Sequence, residues 1–154
     1  NISRPKKKII TVAGTNGKGS TCALLTAYLR SQGCQVGTYT SPHFISFNER
    51  IAVNGKPCNS ELICHAFEKI NIVRIRTPLT YFEFSTLAAL LIFSQSNLDY
   101  WILETGVGGR LDAVNIIDAD VAVITTIDID HEKKVDLGVL RGADHDGSGM
   151  VSPF

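Results

Sequence analysis

The sequence predicts an α/β fold, a mostly parallel sheet with helices on both faces. Three observations lead there. Ile9-Ile10-Thr11-Val12 is a β-branched run that passes through a Gly-rich turn into helix-period sequence and then into a second apolar run at Val36. That order fits a right-handed βαβ unit. Tyr100-Trp101-Ile102-Leu103-Glu104 and Val121-Ala122-Val123-Ile124-Thr125-Thr126 are continuously apolar rather than alternating, as in parallel strands covered on both sides. Finally, 154 residues that are 44% hydrophobic and 19% charged suffice for one core and one domain.

The elements follow in order. The Ile9 strand ends at Ala13-Gly14, and a helix runs from about Lys18 to Gln32 with Ala23, Leu24, Ala27, Tyr28 and Leu29 on its apolar side. Gly33 stops it. Val36-Gly37-Thr38-Tyr39 is the second strand, Ser41-Pro42-His43 a loop, Arg50-Ile51-Ala52-Val53 a short strand and Asn54-Gly55 a tight turn. Ser60 is expected to cap a helix reaching about Lys69. Thr80, with Glu83 three residues on, forms a capping box for a helix to about Ser96. That helix is apolar nearly all round, which predicts deep burial. Beyond His131 the apolar pattern dissolves into Gly-rich polar sequence, expected to be irregular.

Composition narrows the function. With 15 Lys+Arg against 15 Asp+Glu, the chain lacks the basic excess of a nucleic-acid binder. No apolar run is long enough for a membrane helix, and no signal-peptide pattern opens the sequence. Cys22, Cys34, Cys58 and Cys64 form no close pair, which favours reduced thiols and a cytoplasmic setting.

The chemistry concentrates at Gly14-Thr15-Asn16-Gly17-Lys18-Gly19-Ser20-Thr21. This is not the standard G-x-x-x-x-G-K-[ST] loop, because Val12 stands at its first position and Gly19 follows the lysine. The physical parts are present all the same. Glycines let backbone N–H groups approach phosphate oxygens, and a helix N-terminus adds partial positive charge. Lys18 can reach β- and γ-phosphates, and Ser20 or Thr21 can offer a hydroxyl to phosphate or Mg²⁺. Glu104 ends an apolar strand, at the sheet edge where ligands of open α/β folds bind, and can hold Mg²⁺. Arg110 suits either an anionic ligand or a structural ion pair. Ser41, His43 and His131 fall on loops at the same edge, His131 being either a metal ligand or a surface residue. Phe82 can stack on a flat ligand or pack in the core.

Together these segments resemble a known family. The Gly14–Thr21 loop, Thr40-Ser41-Pro42-His43, Glu49-Arg50-Ile51, Leu79-Thr80-Tyr81-Phe82-Glu83, Leu103-Glu104 with Gly108-Gly109-Arg110-Leu111-Asp112, and Asp130-His131 occur in the family's order. The family is that of folylpolyglutamate synthase and bifunctional dihydrofolate synthase, relatives of the Mur peptidoglycan ligases. The resemblance spans about residues 9–131 and implies a P-loop NTPase-like sheet of the Mur central-domain type. It also implies an ATP- and Mg²⁺-dependent ligase that joins L-glutamate to dihydropteroate or folate through an acyl phosphate. By similarity Lys18 and Ser20 bind phosphates within the ATP loop Gly14–Thr21. Ser41 and Glu104 hold a first Mg²⁺, and Glu104 and His131 share a second. Lys18, Glu104 and His131 are the expected catalytic set, and Thr80, Phe82, Asp112 and Ala113 line the pterin site. A monomer is expected.

Four departures qualify the resemblance. Val114 stands where the family carries threonine, and two extra residues separate His131 from Leu137-Gly138. The Glu-Lys-Ala-Gly-Ile segment with its carbamylated lysine is absent, as are the family's N-terminal helical segment and C-terminal domain, which carries part of the ATP and glutamate sites. The expected organisation is therefore an ATP-binding domain over residues 1–131, a divergent tail over 132–154, and weak nucleotide binding without ligation. A Mur-type peptidoglycan ligase and a non-catalytic fragment are the alternatives.

Overall fold

The computed structural model describes residues 7–106 and 109–127. Its strands are β1 (Lys8–Ala13), β2 (Val36–Tyr39), β3 (Ile51–Val53), β4 (Lys56–Pro57), β5 (Tyr100–Glu104) and β6 (Val121–Ile124). Its helices are α1 (Lys18–Ser31), α2 (Ser60–Arg74) and α3 (Tyr81–Gln95), with short 3-10 turns at Phe47–Arg50 and Ala113–Ile116. One sheet runs in the order β4-β3-β2-β5-β1-β6. β2, β5, β1 and β6 are mutually parallel, whereas β3 and β4 form an antiparallel edge. The mostly parallel sheet is therefore as expected.

The two-residue period of the strands sorts side chains into two cores. Ile10, Val12, Val36 and Ile102 pack with Cys22 and partly buried Leu25 and Leu29 of α1. On the opposite face Ile9, Tyr39, Trp101 and Leu103 pack with Ile63 and Ala66 of α2 and Leu90 and Phe93 of α3. Because the central strands are parallel, all of their carboxyl ends reach one edge. The loops that follow β1, β2, β5 and β6 share that edge.

Three local expectations are corrected. α1 buries Cys22 and Thr26, while Leu24 is 72% and Tyr28 63% exposed. The helix rotates to seat Thr26 because its hydroxyl bonds Cys22 O at 2.7 Å and Thr38 Oγ1 at 2.7 Å, which removes the cost of burying it. α2 is capped by Asn59, whose Oδ1 accepts Leu62 N–H at 2.8 Å, and it runs on to Arg74. β6 is an edge strand, so Val121 and Ile124 are 51% and 38% exposed rather than covered. The capping box of α3 forms as the sequence indicates, with Thr80 Oγ1 accepting Glu83 N–H and Glu83 Oε2 accepting Thr80 N–H. Seven of its 15 residues are buried. The Asn54-Gly55 turn has positive φ at both residues, as a type I′ hairpin requires.

Candidate functional site

The Gly-rich loop leaves β1 with Gly14 at φ 135°, a conformation suited to glycine. A Cβ there would collide with Thr125 Oγ1 and lie 2.9 Å from Thr126 O. Gly17, at φ 79°, opens α1 with no side-chain cap. The first turn of α1 thus presents its N–H groups at an end where the helix dipole favours an anion. Lys18 folds back over the loop, its Nζ donating to Gly14 O at 2.8 Å and Thr15 O at 3.4 Å. Thr21 Oγ1 donates to Gly17 O at 2.9 Å, so its hydroxyl serves the helix. Ser20 is exposed and lines the groove.

Glu104 ends β5 on the α1 side and is 3% exposed. Its Oε2 accepts the Ser41 N–H at 3.0 Å, which joins the loops after β2 and β5. Burial pushes its carboxyl above the usual range, with the Ser41 amide and the Lys18 charge pulling the other way. Cys22, close by, is pushed up to about 12 by burial and by the Glu104 charge, and is an inert thiol. A groove of about 750 Å³ opens beside these groups, with Gly17, Gly19, Ser20, Ser41 and Glu104 on its walls. A hard divalent cation fits this set, since a desolvated carboxylate and two serine hydroxyls offer oxygen donors and the carboxylate gains from positive charge. Among the described residues there is no cluster of three or more His, Cys, Asp or Glu side chains suited to a metal. His131 lies outside the described residues.

The other predicted residues gather on the α3 face. A second cavity of about 370 Å³ is lined by Thr86, Leu87, Arg110, Asp112, Ala113 and Asn115, among others. Asp112 is 8% exposed, and its oxygens accept the N–H groups of Gly106 at 2.8 Å and Val114 at 3.0 Å. Val114 is fully buried, so its extra methyl sits in the core. Arg110 is exposed and has no ion pair among the described residues. Thr80 and Phe82 do not line this cavity. Thr80 is committed to its cap, donating to Glu83 Oε2 at 2.8 Å. Phe82 packs 5.9 Å from the Tyr39 ring and against Gly106, which is the core-packing alternative.

Two features escaped the sequence. Thr125 and Thr126 grip Asn16: Thr126 Oγ1 accepts Asn16 N–H at 3.1 Å and lies 3.2 Å from Asn16 O, while Thr125 Oγ1 donates to Asn16 O at 2.6 Å. The available signal was a Thr pair closing an apolar strand of the predicted parallel sheet. Arg50 is 8% exposed, donates from Nε to His43 Nδ1 at 2.8 Å, and lies 5.2 Å from the Tyr81 ring centroid. That places His43 against Arg50 rather than against Glu104. Arg50 stands within the Glu49-Arg50-Ile51 motif, but nothing in that motif shows that it is buried or that it meets His43 and Tyr81.

With the geometry in place, comparison with known proteins is informative. The Mur ligase middle domain family model matches residues 12–134. The dihydrofolate synthase/folylpolyglutamate synthase of Buchnera aphidicola subsp. Acyrthosiphon pisum (strain APS) is 55% identical over 123 residues, covering 80% of this chain and 30% of that protein. E. coli FolC in complex with DHPP and ADP superposes with a TM-score of 0.82 at 48% identity, over 84% of this chain and 31% of that one. A bifunctional folylpolyglutamate synthase/dihydrofolate synthase with Mn, AMPPNP and L-glutamate bound gives 0.82 at 51% identity, over 84% and 32%. The chain therefore spans about a third of the length of the relatives it matches. Matched over most of its length and sharing the relatives' sheet, the chain belongs to the Mur ligase middle-domain family.

Proposed function

We propose that this chain supplies the nucleotide-phosphate and acid-substrate half of an ATP-dependent ligase that joins L-glutamate to dihydropteroate or folate. The observation that carries the reading is Glu104, buried at the end of β5 with its oxygens turned toward Gly19 of the uncapped α1 terminus. The relatives bind DHPP with ADP, and AMPPNP with Mn and L-glutamate, which supports both the nucleotide and the acceptor.

The chain's own groups suit phosphoryl transfer, in which positioning and charge neutralisation dominate. Amides of Gly17 to Ser20 and the Lys18 ammonium hold the β- and γ-phosphates, Lys18 turning outward from Gly14 O to do so. Mg²⁺ held by Glu104 and the Ser41 and Ser20 hydroxyls, with a second ion between Glu104 and His131, would neutralise charge on the transferring group. Asp112 and Ala113 hold the pterin in the cavity beside α3, with Thr80 acting only as the cap of α3 and Phe82 packed behind Gly106. The acid's carboxylate oxygen attacks the γ-phosphorus, giving acyl phosphate and ADP. The glutamate amine then attacks the acyl carbon, phosphate leaves, and the amine proton passes to solvent. Because the relatives are about three times longer, we assign only part of this sequence of steps to these residues. The 154-residue chain alone is expected to bind MgATP weakly and to ligate nothing.

Isothermal titration with MgATP and an ADP-release assay with dihydropteroate and glutamate test the reading. Lys18→Ala is expected to abolish MgATP binding and to change stability by less than about 1 kcal/mol, since a partly exposed lysine contributes little. Unchanged binding in Lys18→Ala would refute the phosphate assignment. Ligation at an ordinary enzymatic rate would refute the division of labour.

A further inference from the structure

We infer that Thr126, with Thr125, is a positioning residue that aims the backbone amides of the Gly-rich loop at the nucleotide's phosphates. The inference rests on the nucleotide reading above and adds residues to it. The parallel ladder between β1 and β6 ends at Ala13 and Ile124 and continues through backbone bonds, Thr125 N–H to Ala13 O at 2.9 Å and Thr15 N–H to Thr126 O at 2.7 Å. Beyond Thr15 the loop turns away and no strand partner follows it. Side-chain hydroxyls replace the ladder there. The Thr126 hydroxyl accepts Asn16 N–H at 3.1 Å, and both threonine hydroxyls lie within hydrogen-bond distance of Asn16 O.

The consequence follows from peptide planarity. Asn16 C=O and Gly17 N–H belong to one trans peptide and point in opposite directions. Holding Asn16 O against β6 therefore turns Gly17 N–H away from β6, on the side where Ser20 and Glu104 line the groove. Gly17 at φ 79° has nothing within 4 Å of its Cβ position, so no side chain packs over that position. Without the threonine hydroxyls, Asn16 loses its side-chain anchors on β6, and more of the loop must be ordered when phosphate binds. An amide already aimed binds more tightly than one ordered on binding.

The test titrates MgATP into the 154-residue chain and its variants, with thermal melts alongside. Thr126→Val keeps the side-chain shape and removes the hydroxyl. The MgATP dissociation constant is expected to rise about tenfold, the loss of one preorganised hydrogen bond. Inorganic tripolyphosphate is expected to weaken by a similar factor, because the amides contact no base. Thr126→Ser is expected to restore affinity to within about twofold, which a purely structural role for the methyl would not do. Parent-like affinity in Thr126→Val, with Lys18→Ala still abolishing binding, would overturn the inference and leave the nucleotide reading intact. Absence of MgATP binding in the parent chain would overturn both. Should Thr126→Val not fold, Thr125→Val carries the same comparison, with parent-like affinity again overturning the inference.

Discussion

A Cβ built on Gly19 would sit 3.8 Å from Glu104 Oε2 and 4.0 Å from Oε1. The second residue of α1 therefore faces the one buried carboxylate of the groove with only a hydrogen between them. Gly19→Ala adds a methyl at ordinary contact distance and removes a glycine from the exposed start of a helix. Stability is expected to rise by about 0.5–1 kcal/mol, while MgATP affinity falls because the methyl occupies space a cation needs beside Glu104. Thermal melting with and without MgATP measures both. A variant that gains stability and keeps full affinity would show that the cation approaches Glu104 from another side.

Glu104 also sets a pH dependence. Burial raises its folded-state value, so between its unfolded and folded values the native chain holds the proton more often. Its contribution to stability is full below the unfolded value and is lost as pH rises through the folded one. Glu49, which accepts the backbone N–H groups of Phe44 and Ser46, and Glu83, which accepts that of Thr80, are shifted down. They act oppositely, with stability present above their unfolded value and lost as pH falls through the folded one. Glu104→Gln keeps an acceptor for Ser41 N–H and removes the buried charge. It is expected to melt higher than the parent at pH 7, with the two curves converging at acid pH. Mg²⁺ is expected to raise the melting temperature of the parent and not of Glu104→Gln. A lower melting temperature for the variant at pH 7 would contradict the desolvation account.

Much of this site was legible in the sequence, and its hidden parts share one cause. The Thr80–Glu83 capping box, the Asn54-Gly55 turn and the Gly-rich loop are local patterns, and their spacing dictates both bonds and backbone angles. Glu104 was legible because an acid at the end of an apolar parallel strand can only sit at the sheet edge. The buried face of α1 was not, since Thr26 is accommodated by Thr38, a residue on another element. The Thr126 contact to Asn16 joins positions 110 apart, and only the β1–β6 pairing brings them together. Phe82 lay between: its aromatic character was plain, but its packing depends on Gly106 and Tyr39.

Ile75, just past α2, offers a prediction independent of function. It has φ 52° and ψ −100° and is 81% exposed. A β-branched residue is strained in that region, and little packing compensates. Ile75→Gly is expected to stabilise the chain by about 1 kcal/mol, the relief of strain exceeding the entropy cost of glycine. Chemical denaturation measures it, and a destabilised variant would show that Ile75 packs more than its exposure indicates.

Gly106 and Phe82 are expected to be coupled, and a double-mutant cycle can show it. A Cβ on Gly106 would lie 2.7 Å from both Cε2 and Cζ of Phe82, so Gly106→Ala must displace the ring or the loop. The ring is held by Tyr39 at 5.9 Å and the loop by Asp112 through Gly106 N–H at 2.8 Å. If the loop yields, Asp112, which lines the cavity beside α3, is drawn with it. Gly106→Ala is expected to cost about 1–3 kcal/mol, as overpacking does. In the Phe82→Leu background the same methyl meets a smaller side chain, so its cost should fall by about 1 kcal/mol. Simple additivity of the two substitutions would mean that the loop, and with it Asp112, shifts freely of the ring. The coupling therefore decides whether Phe82 acts on the Asp112 cavity through Gly106 or only fills the core.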